Sequence, residues 1–431
     1  MRAAHSTTDV MDAGQTAVYA IADTHLGLKE KGLIRLAKAK WVDRRSDQPA
    51  RVVEFLRWLA KIPAAGWELP VLEERQVVRR TLRRPSHLVL LGDVIELWDG
   101  ENEAILLSSV PVQRALSALS ADKVYVLGNH DAVLEPYQAS YPFGIPGLVI
   151  VPDSFPDVDD NPVRPQVHPL RIGDRAFVFV HGHQLDRSFR IAVKLHLLGV
   201  LGHLRRFGAA TGPYALFVFG LMLLVALPLV VLSPSIPGWI ILASLFLLAF
   251  PRLYMKVARP LYDKLAGKKY QRSRTLRGFA SWWKEFRGLL EPTSDLGIVF
   301  GHTHYLDWIE IDHRTGARDA SQPAERKLTA LLRAESRKRQ SLYNISSWVS
   351  VRGRHEEIVG ATIFYVDEQG PLILGWDWHA NKPFHIPFPF IEKKRNPRAV
   401  ETMTGSELAA AGQLGWPSRL IERWQRERIK S

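Results

Sequence analysis

The chain has 431 residues, 57 Lys plus Arg against 44 Asp plus Glu, a formal net charge of +13, and no cysteine. A hydrophobic share of 46% with a mean hydropathy of −0.08 excludes both a disordered chain and a multi-span carrier. The missing cysteines exclude a disulfide framework and any thiolate metal site, and the length leaves room for two or three domains.

In chain order, residues 1–16 carry Arg2, Asp9 and Asp12 but no apolar run, which predicts a loose tail without a secretory signal. Residues 17–22 form a short apolar run that reads as a strand, and Asp23-Thr24-His25 follows at once. Residues 49–62 place Val52, Val53, Leu56, Leu59 and Ala60 on one helical face, suited to covering a sheet. The stretch 71–82, with Glu73, Glu74, Arg79 and Arg80, predicts an exposed helix or linker. A second strand at 87–91 runs into Gly92-Asp93, and a third at 124–127 into Gly128-Asn129-His130-Asp131. A fourth, 176–180, is followed by His181-Gly182-His183.

Residues 207–251 then contain no Asp, Glu, Lys, Arg or His. Within them 214–232 is nearly unbroken apolar sequence, long enough for a membrane-spanning helix. After the turn residues 233–238, the run 239–250 is a second apolar segment that reaches spanning length only if it extends to Met255 with Arg252 at the interface. A soluble helix keeps a polar stripe, and Pro228 is better tolerated in lipid than in water. An apolar hairpin over 213–255 is therefore expected to associate with a membrane. Ten Lys or Arg against Asp263 and Glu285 occupy 256–287, and Arg187, Arg190, Lys194, Arg205 and Arg206 precede the hairpin. Positive residues at both ends and none at the turn predict a cell-membrane location with both ends, and the catalytic domain, on the cytoplasmic side. Trp282, Trp283 and Phe286 interleave with the basic residues. That mix fits either a single-strand nucleic-acid surface or an interfacial helix, and adjacency to the apolar segment favours the membrane.

The last cluster, Gly301-His302-Thr303-His304, follows a strand at 297–300. Further strands are expected at 308–311, 342–345, 357–366 and 371–378, with a hairpin turn at 366–371. Residues 325–339 and 392–398 read as solvated basic runs.

Five strand-then-ligand units in one chain bring Asp, Asn and His to one edge of a sheet, where open α/β folds bind their ligands. The mixed N/O set suits Mn, Fe, Zn or Ni better than Ca or Mg. Seven donors exceed the need of one ion and suit two that share a carboxylate.

The ordered motifs DTH, GD, GNHD, HGH and GHTH, together with Tyr343–Trp348 (YNISSW), resemble those of the calcineurin-like metallophosphoesterase superfamily over roughly residues 18–348. The resemblance implies an α/β fold, a four-layer α-β-β-α sandwich, here interrupted by an inserted membrane-associating helical hairpin. It gives Asp23, His25 and His304 to a first ion and Asn129, His181 and His302 to a second, with Asp93 bridging. It makes His130 a phosphate-contacting general acid whose ring Asp131 holds in one tautomer. His183 has no superfamily-wide ligand role and is assigned to the second shell or the substrate wall. The segment Gly92–Trp98 is similar to the second motif of UDP-2,3-diacylglucosamine pyrophosphatases, which places Glu96 and Trp98 with His183 among the substrate contacts. That family carries Arg where this chain has His130, and HGD where it has HGH.

The division expected is a tail at 1–16, a first part of the catalytic domain at 17–186, an insertion at 187–290, a second part at 291–390 and a basic tail at 391–431. The function expected is hydrolysis of a phosphodiester or diphosphate bond by a metal-bridging hydroxide, with two divalent transition-metal ions, Mn foremost. Partners would be membrane lipids and a phosphate-containing, lipid-linked substrate; nucleic acid is disfavoured. Two other classes stay open: a membrane-tethered phosphodiesterase, phosphatase or nuclease acting on nucleotides, and a non-catalytic membrane scaffold that retains the fold.

Overall fold

The computed structural model describes residues 16–27, 48–73, 76–97, 102–137, 144–158, 166–185, 272–290, 295–304, 306–311, 340–348, 361–377, 379–387, 412–414 and 416. The charge-free segment 207–251 lies outside them, as do most of the expected insertion and Trp98. Among the described residues, no helix is long and apolar enough to cross a membrane.

Two mixed sheets dominate. The first contains β1 (Val18–Ala22), β4 (His87–Leu91), β5 (Asp122–Val126), β6 (Leu148–Val151), β13 (Thr362–Asp367), β14 (Gly370–Asp377) and β15 (Lys382–His385), in the order β15-β14-β13-β1-β4-β5-β6. Its β1, β4, β5 and β6 run parallel, with Ala22 opposite Leu91 and Leu91 opposite Val126. The second runs β11-β12-β10-β9-β7, where β7 is Ser154–Phe155, β9 Arg175–Val180, β10 Leu296–Phe300, β11 Asp307–Ile311 and β12 Gln340–Asn344; β8 (Leu170–Ile172) pairs with β9 off this path. Here β9, β10 and β12 are parallel, with Phe300 opposite both Val180 and Asn344. Central parallel strands are covered on both faces and so read as continuous apolar runs; β1, β4 and β10 are buried throughout.

Side chains alternate between faces along a strand, and the packing follows that period. On one face, Tyr19, Ile21, Leu88 and Leu90 meet Phe55 and Leu59 of helix α1 (Gln48–Lys61) and Val112 and Leu116 of helix α2 (Asn102–Ser117). On the other, Val18, Ala20, Ala22, Val89 and Leu91 meet Phe177, Phe179, Val299 and Tyr343 of the second sheet. The outer face of the second sheet (Ala176, Val178, Val180, Ile298, Phe300) is covered by Phe279, Trp282, Trp283 and Phe286 of helix α3 (Arg272–Phe286). The layers are thus α, β, β, α. The segment after β12 ties the sheets together: Ser346 N donates to Thr362 Oγ1 (2.7 Å), and Trp348, fully buried, donates through Nε1 to Thr362 O (3.2 Å).

Four expectations need correction. Residues 71–73 and 76–82 are not an exposed helix or linker; they belong to an antiparallel ribbon of β2 (Trp67–Glu73) and β3 (Gln76–Leu82). Leu69, Val71 and Leu82 alternate inward, and Arg80 is buried against the Asp367 carboxylate and Gly370 O, so its charge is paired inside the protein. The aromatic face of α3 is neither interfacial nor a stacking platform, because Trp282, Trp283 and Phe286 form the core of the fourth layer. That helix belongs with the sheets, so a division at 290/291 cuts through a packed unit. Leu414 and Trp416, placed in a basic tail, are buried in the core between the sheets, where Trp416 Nε1 donates to His385 O (2.7 Å).

Candidate metal centre

Every expected ligand follows the carboxyl end of a parallel strand: Asp23 and His25 after β1, Asp93 after β4, Asn129 after β5, His181 after β9, and His302 and His304 after β10. The two sheets bring these ends to one place. Backbone bonds fasten the loops together: His25 N donates to Asp93 O (2.8 Å), Leu26 N to Val94 O (2.8 Å), Glu96 N to Leu26 O (2.9 Å) and Gly301 N to His181 O (2.9 Å).

Asp93, Asn129 and His302 each follow a glycine, and each of these glycines has a steric cause. A Cβ on Gly92 would strike the His181 ring, one on Gly128 the Asp93 carboxyl and amide, and one on Gly301 would lie 2.6 Å from Asp23 Oδ2. Five non-glycine residues of the site hold positive φ: Asp23 (52°), His25 (43°), Asp93 (49°), His302 (66°) and His304 (58°). Such conformations cost about 1–3 kcal/mol each and persist where the surroundings over-determine them. This site is held by its surroundings in that way.

Three groups of donors lie with their ligand atoms within 4.8 Å of one another: Asp23, His25 and His304; Asp93, His181 and His302; and His25, Asp93 and His130. The first two are the expected ion positions. His181 Nδ1 donates to Leu91 O (2.7 Å), which leaves Nε2 facing Asn129 Oδ1 (3.3 Å) and Asp93 Oδ2 (3.4 Å). His25 Nε2 and His304 Nε2 face each other at 3.4 Å. Asp23 Oδ2 accepts from His302 N (2.8 Å), whereas the buried Oδ1 has no hydrogen-bond partner. A buried carboxylate oxygen without a donor is costly, and a cation at the first position would satisfy it. The second group, Asp93, His181 and His302, offers the donor set for another ion.

The charges agree. Burial pushes Asp23 up to about 6. Burial also pushes Asp93 up, but His181 and His130 beside it hold its carboxyl well below the usual range. Burial and the neighbouring imidazoles keep His302 and His304 unprotonated, the latter down to about 3, so their lone pairs are free for a cation. His25, against burial, is raised to about 9 by Glu96, and His181 to about 10 by Asp93.

Two expected roles change hands. Asp131 does not fix His130. Its oxygens accept from Gly128 N, Val94 N (2.9 Å) and the Tyr125 hydroxyl, so it folds the loop that carries the ligands. The ring of His130 is held by Glu96, with Nδ1 donating to Oε1 at 2.7 Å. Glu96 in turn is not a substrate contact: it is buried, and its other oxygen accepts from His25 Nδ1 (2.8 Å). His183 is buried beside the rings of His181 and His302 (centroids 5.3 and 6.3 Å away), with no hydrogen-bond partner for Nδ1. At 2% exposure it offers a substrate almost no surface. His130, with 18% of its side chain exposed, does reach the surface, and its Nε2 lies 4.0 Å from Asp93 Oδ2.

Supports beyond the motifs also appear. Thr24 Oγ1 donates to Val94 O (2.9 Å), Ser347 Oγ to Asp23 O (2.8 Å), and Asn344 Nδ2 to Thr303 Oγ1 (2.7 Å). Ser347 lies in the expected YNISSW segment, but its reach to Asp23 spans more than 300 residues and leaves no local signal.

No family model matches the chain, and no curated protein does. Among solved structures, a dimetal phosphatase from Danio rerio aligns over 84% of this chain and 96% of its own, at 12% identity and a TM-score of 0.35. A likeness of that degree fixes neither fold nor activity.

Proposed function

We propose that the chain is a two-metal phosphoesterase. The observation that carries this reading is the pair of donor triads, Asp23/His25/His304 and Asp93/His181/His302, built at one edge of two parallel strand sets around a buried carboxylate oxygen that lacks a proton donor. Asp23, His25 and His304 would hold one ion, Asn129, His181 and His302 the other, with Asp93 between them. Two divalent cations there would polarise phosphoryl oxygens and make a bound water acidic enough to attack phosphorus near neutral pH. In the displacement, a water oxygen bonds to phosphorus as the ester or anhydride oxygen leaves. His130, held through Nδ1 and partly exposed, gives that oxygen its proton through Nε2. Glu96 and Asp131 act behind the reacting atoms, one on rings and one on backbone. Manganese is the first metal to test, since the N/O donor set suits it along with Fe, Zn and Ni.

We also propose that the charge-free segment 207–251 seats the protein on the inner face of a membrane and that the substrate is a lipid-linked phosphate or diphosphate. Support comes from the sequence: the apolar length, the uncharged turn, and basic residues on both flanks. The burial of Trp282, Trp283 and Phe286 removes those aromatics from the membrane-contacting set. The test replaces 207–251 with a Gly/Ser linker and follows Mn²⁺-dependent hydrolysis of a soluble phosphodiester and of lipid phosphates in anionic vesicles. The variant should leave the membrane, keep the soluble activity and lose most of the vesicle activity, because surface capture raises effective concentration. An unchanged ratio of the two activities contradicts the lipid reading and favours soluble nucleotides. Activity that survives a chelator contradicts the metal reading itself.

A further inference from the structure

We propose that the exposed apolar face of helix α2 is a membrane contact that seats the metal centre against the headgroups of a bilayer. The inference rests on the membrane reading above and adds a second contact, on the folded catalytic domain itself. The polarity of helix α2 is inverted. Leu106 and Leu107 are 62% and 71% exposed and Val110 37%, whereas Ser108 and Ser109 are buried, their hydroxyls bonded back to Ile105 O (3.2 Å) and Leu106 O (3.4 Å). A helix in water shows the reverse, with serines outside and leucines on the core. Ile105, Val112 and Leu116 already supply the core side. Residues three and four apart share a face, which joins Leu106, Leu107, Val110 and the exposed Pro111 into one stripe. The ten residues between Glu103 and Arg114 carry no charge. Single exposed leucines need no explanation, but a contiguous apolar patch does.

The stripe lies at the metal edge of the sheets. Gly27, two residues past His25, comes so close to the helix that a Cβ on it would stand 2.5 Å from Ile105 Cγ1 and 3.0 Å from Ile105 N. Leu106 and Leu107 are the next residues, beside the loop that carries the first donor triad. On the inner side, Ser109 lines a small apolar cavity with Leu26, Val94 and Ile95 of the two ligand loops. One turn beyond Val110, Arg114 is exposed on the same face, and its charge complements anionic headgroups. An apolar stripe that ends in a basic residue suits a helix lying in the plane of the interface. The edge that gathers the metal ligands thereby faces the headgroups, where a lipid-linked phosphate would present its phosphorus. The charge-free segment 207–251 with its basic flanks supplies the tether, and the stripe supplies the orientation.

The chain has no cysteine, so one introduced thiol labels one position. Full-length Leu107→Cys, carrying an environment-sensitive fluorophore, is mixed with vesicles of equal parts phosphatidylcholine and phosphatidylglycerol. Its emission should shift to the blue, iodide should lose access to it, and a brominated lipid should quench it. Asp174→Cys is the control: its side chain is 83% exposed just before β9, at the end of that strand opposite the ligands, and its label should stay in water. In Leu106→Ser/Leu107→Ser, hydrolysis of vesicle lipid phosphates should fall about tenfold or more, since burying one leucine side chain is worth at least about that factor. Hydrolysis of a soluble phosphodiester should stay at the parent rate. Parent activity on vesicles in the double variant overturns the inference. A label at 107 that stays in water while the chain sediments with the vesicles overturns it too, and leaves the membrane reading standing. A label shielded without vesicles as protein concentration rises overturns it in favour of a contact between two copies. A parent chain that does not bind the vesicles overturns the membrane reading and this inference together.

Discussion

Gly128→Ala adds a single methyl at the point where the loop after β5 crosses Asp93. The new Cβ would stand 2.9 Å from Asp93 Cγ, and nearer still to Asp93 Oδ1 and N. Ordinary contact for such a carbon begins at 3.4 Å, so the carboxyl carbon must retreat by about 0.5 Å and the amide by more. Asp93 has little freedom to do so. Its carbonyl accepts from His25 N at 2.8 Å, its Oδ1 from His130 N at 2.8 Å, and its φ of 49° is already unfavourable. Overpacking of this kind costs about 1–3 kcal/mol, and a displacement approaching 1 Å at a reacting centre costs about 100-fold in rate. Denaturant unfolding of the chelated protein should register the first, and Mn²⁺ titration together with kcat on a soluble phosphodiester the second. Gly412→Ala, where nothing lies within 4 Å of the added carbon, is the control and should shift stability by less than about 0.5 kcal/mol. Parent ion affinity and an unshifted unfolding midpoint in Gly128→Ala would refute the nesting of the two loops.

His130→Ala should keep both ions and lose about 10²–10⁴-fold in kcat, with the larger loss on poor leaving groups; an equal loss across leaving groups would remove His130 from the proton-donor role. Asp367→Ala strands the buried Arg80 guanidinium and should cost about 3–5 kcal/mol in unfolding free energy; a loss below about 1 kcal/mol would show that Arg80 finds water. Burial, reinforced by the charge of Arg80, holds His385 down to about 3, and its Nδ1 accepts from Leu72 N (3.0 Å). Between its ordinary value of 6.5 and about 3 the unfolded chain binds a proton there that the folded chain does not. Stability should therefore fall with acid by about 1.4 kcal/mol per pH unit from this group. His385→Asn, which retains an acceptor, should flatten the fall between pH 6 and pH 5 by that amount, and an unchanged slope would contradict the assignment.

What was legible in the sequence was local. Each central parallel strand is apolar without interruption because both its faces are covered, and each ends at a ligand, so strand and donor could be read together. The observed strand bounds differ from those expected by one or two residues at most of these positions. What was not legible depended on partners far along the chain. Glu96 is a substrate contact only by the likeness of Gly92–Trp98 to a pyrophosphatase motif, and its spacing from Asp93 says nothing of His25, 71 residues away, or of His130, 34 away. Arg79 and Arg80 made 71–82 look exposed, and the carboxylate that buries Arg80 lies 287 residues on. Trp282, Trp283 and Phe286 have the composition of a membrane-facing stripe and of a sheet-facing one alike, and only the packing on Val178, Ile298 and Phe300 separates the two.

The account stands or falls on the ion count. Elemental analysis of the full-length chain, loaded with Mn²⁺ and freed of excess, should give two ions per chain. Asp93→Ala, which removes the carboxylate between the two triads, should give fewer than two and no hydrolysis. One ion or none in the parent, or an undiminished pair in Asp93→Ala, would contradict the two-metal centre.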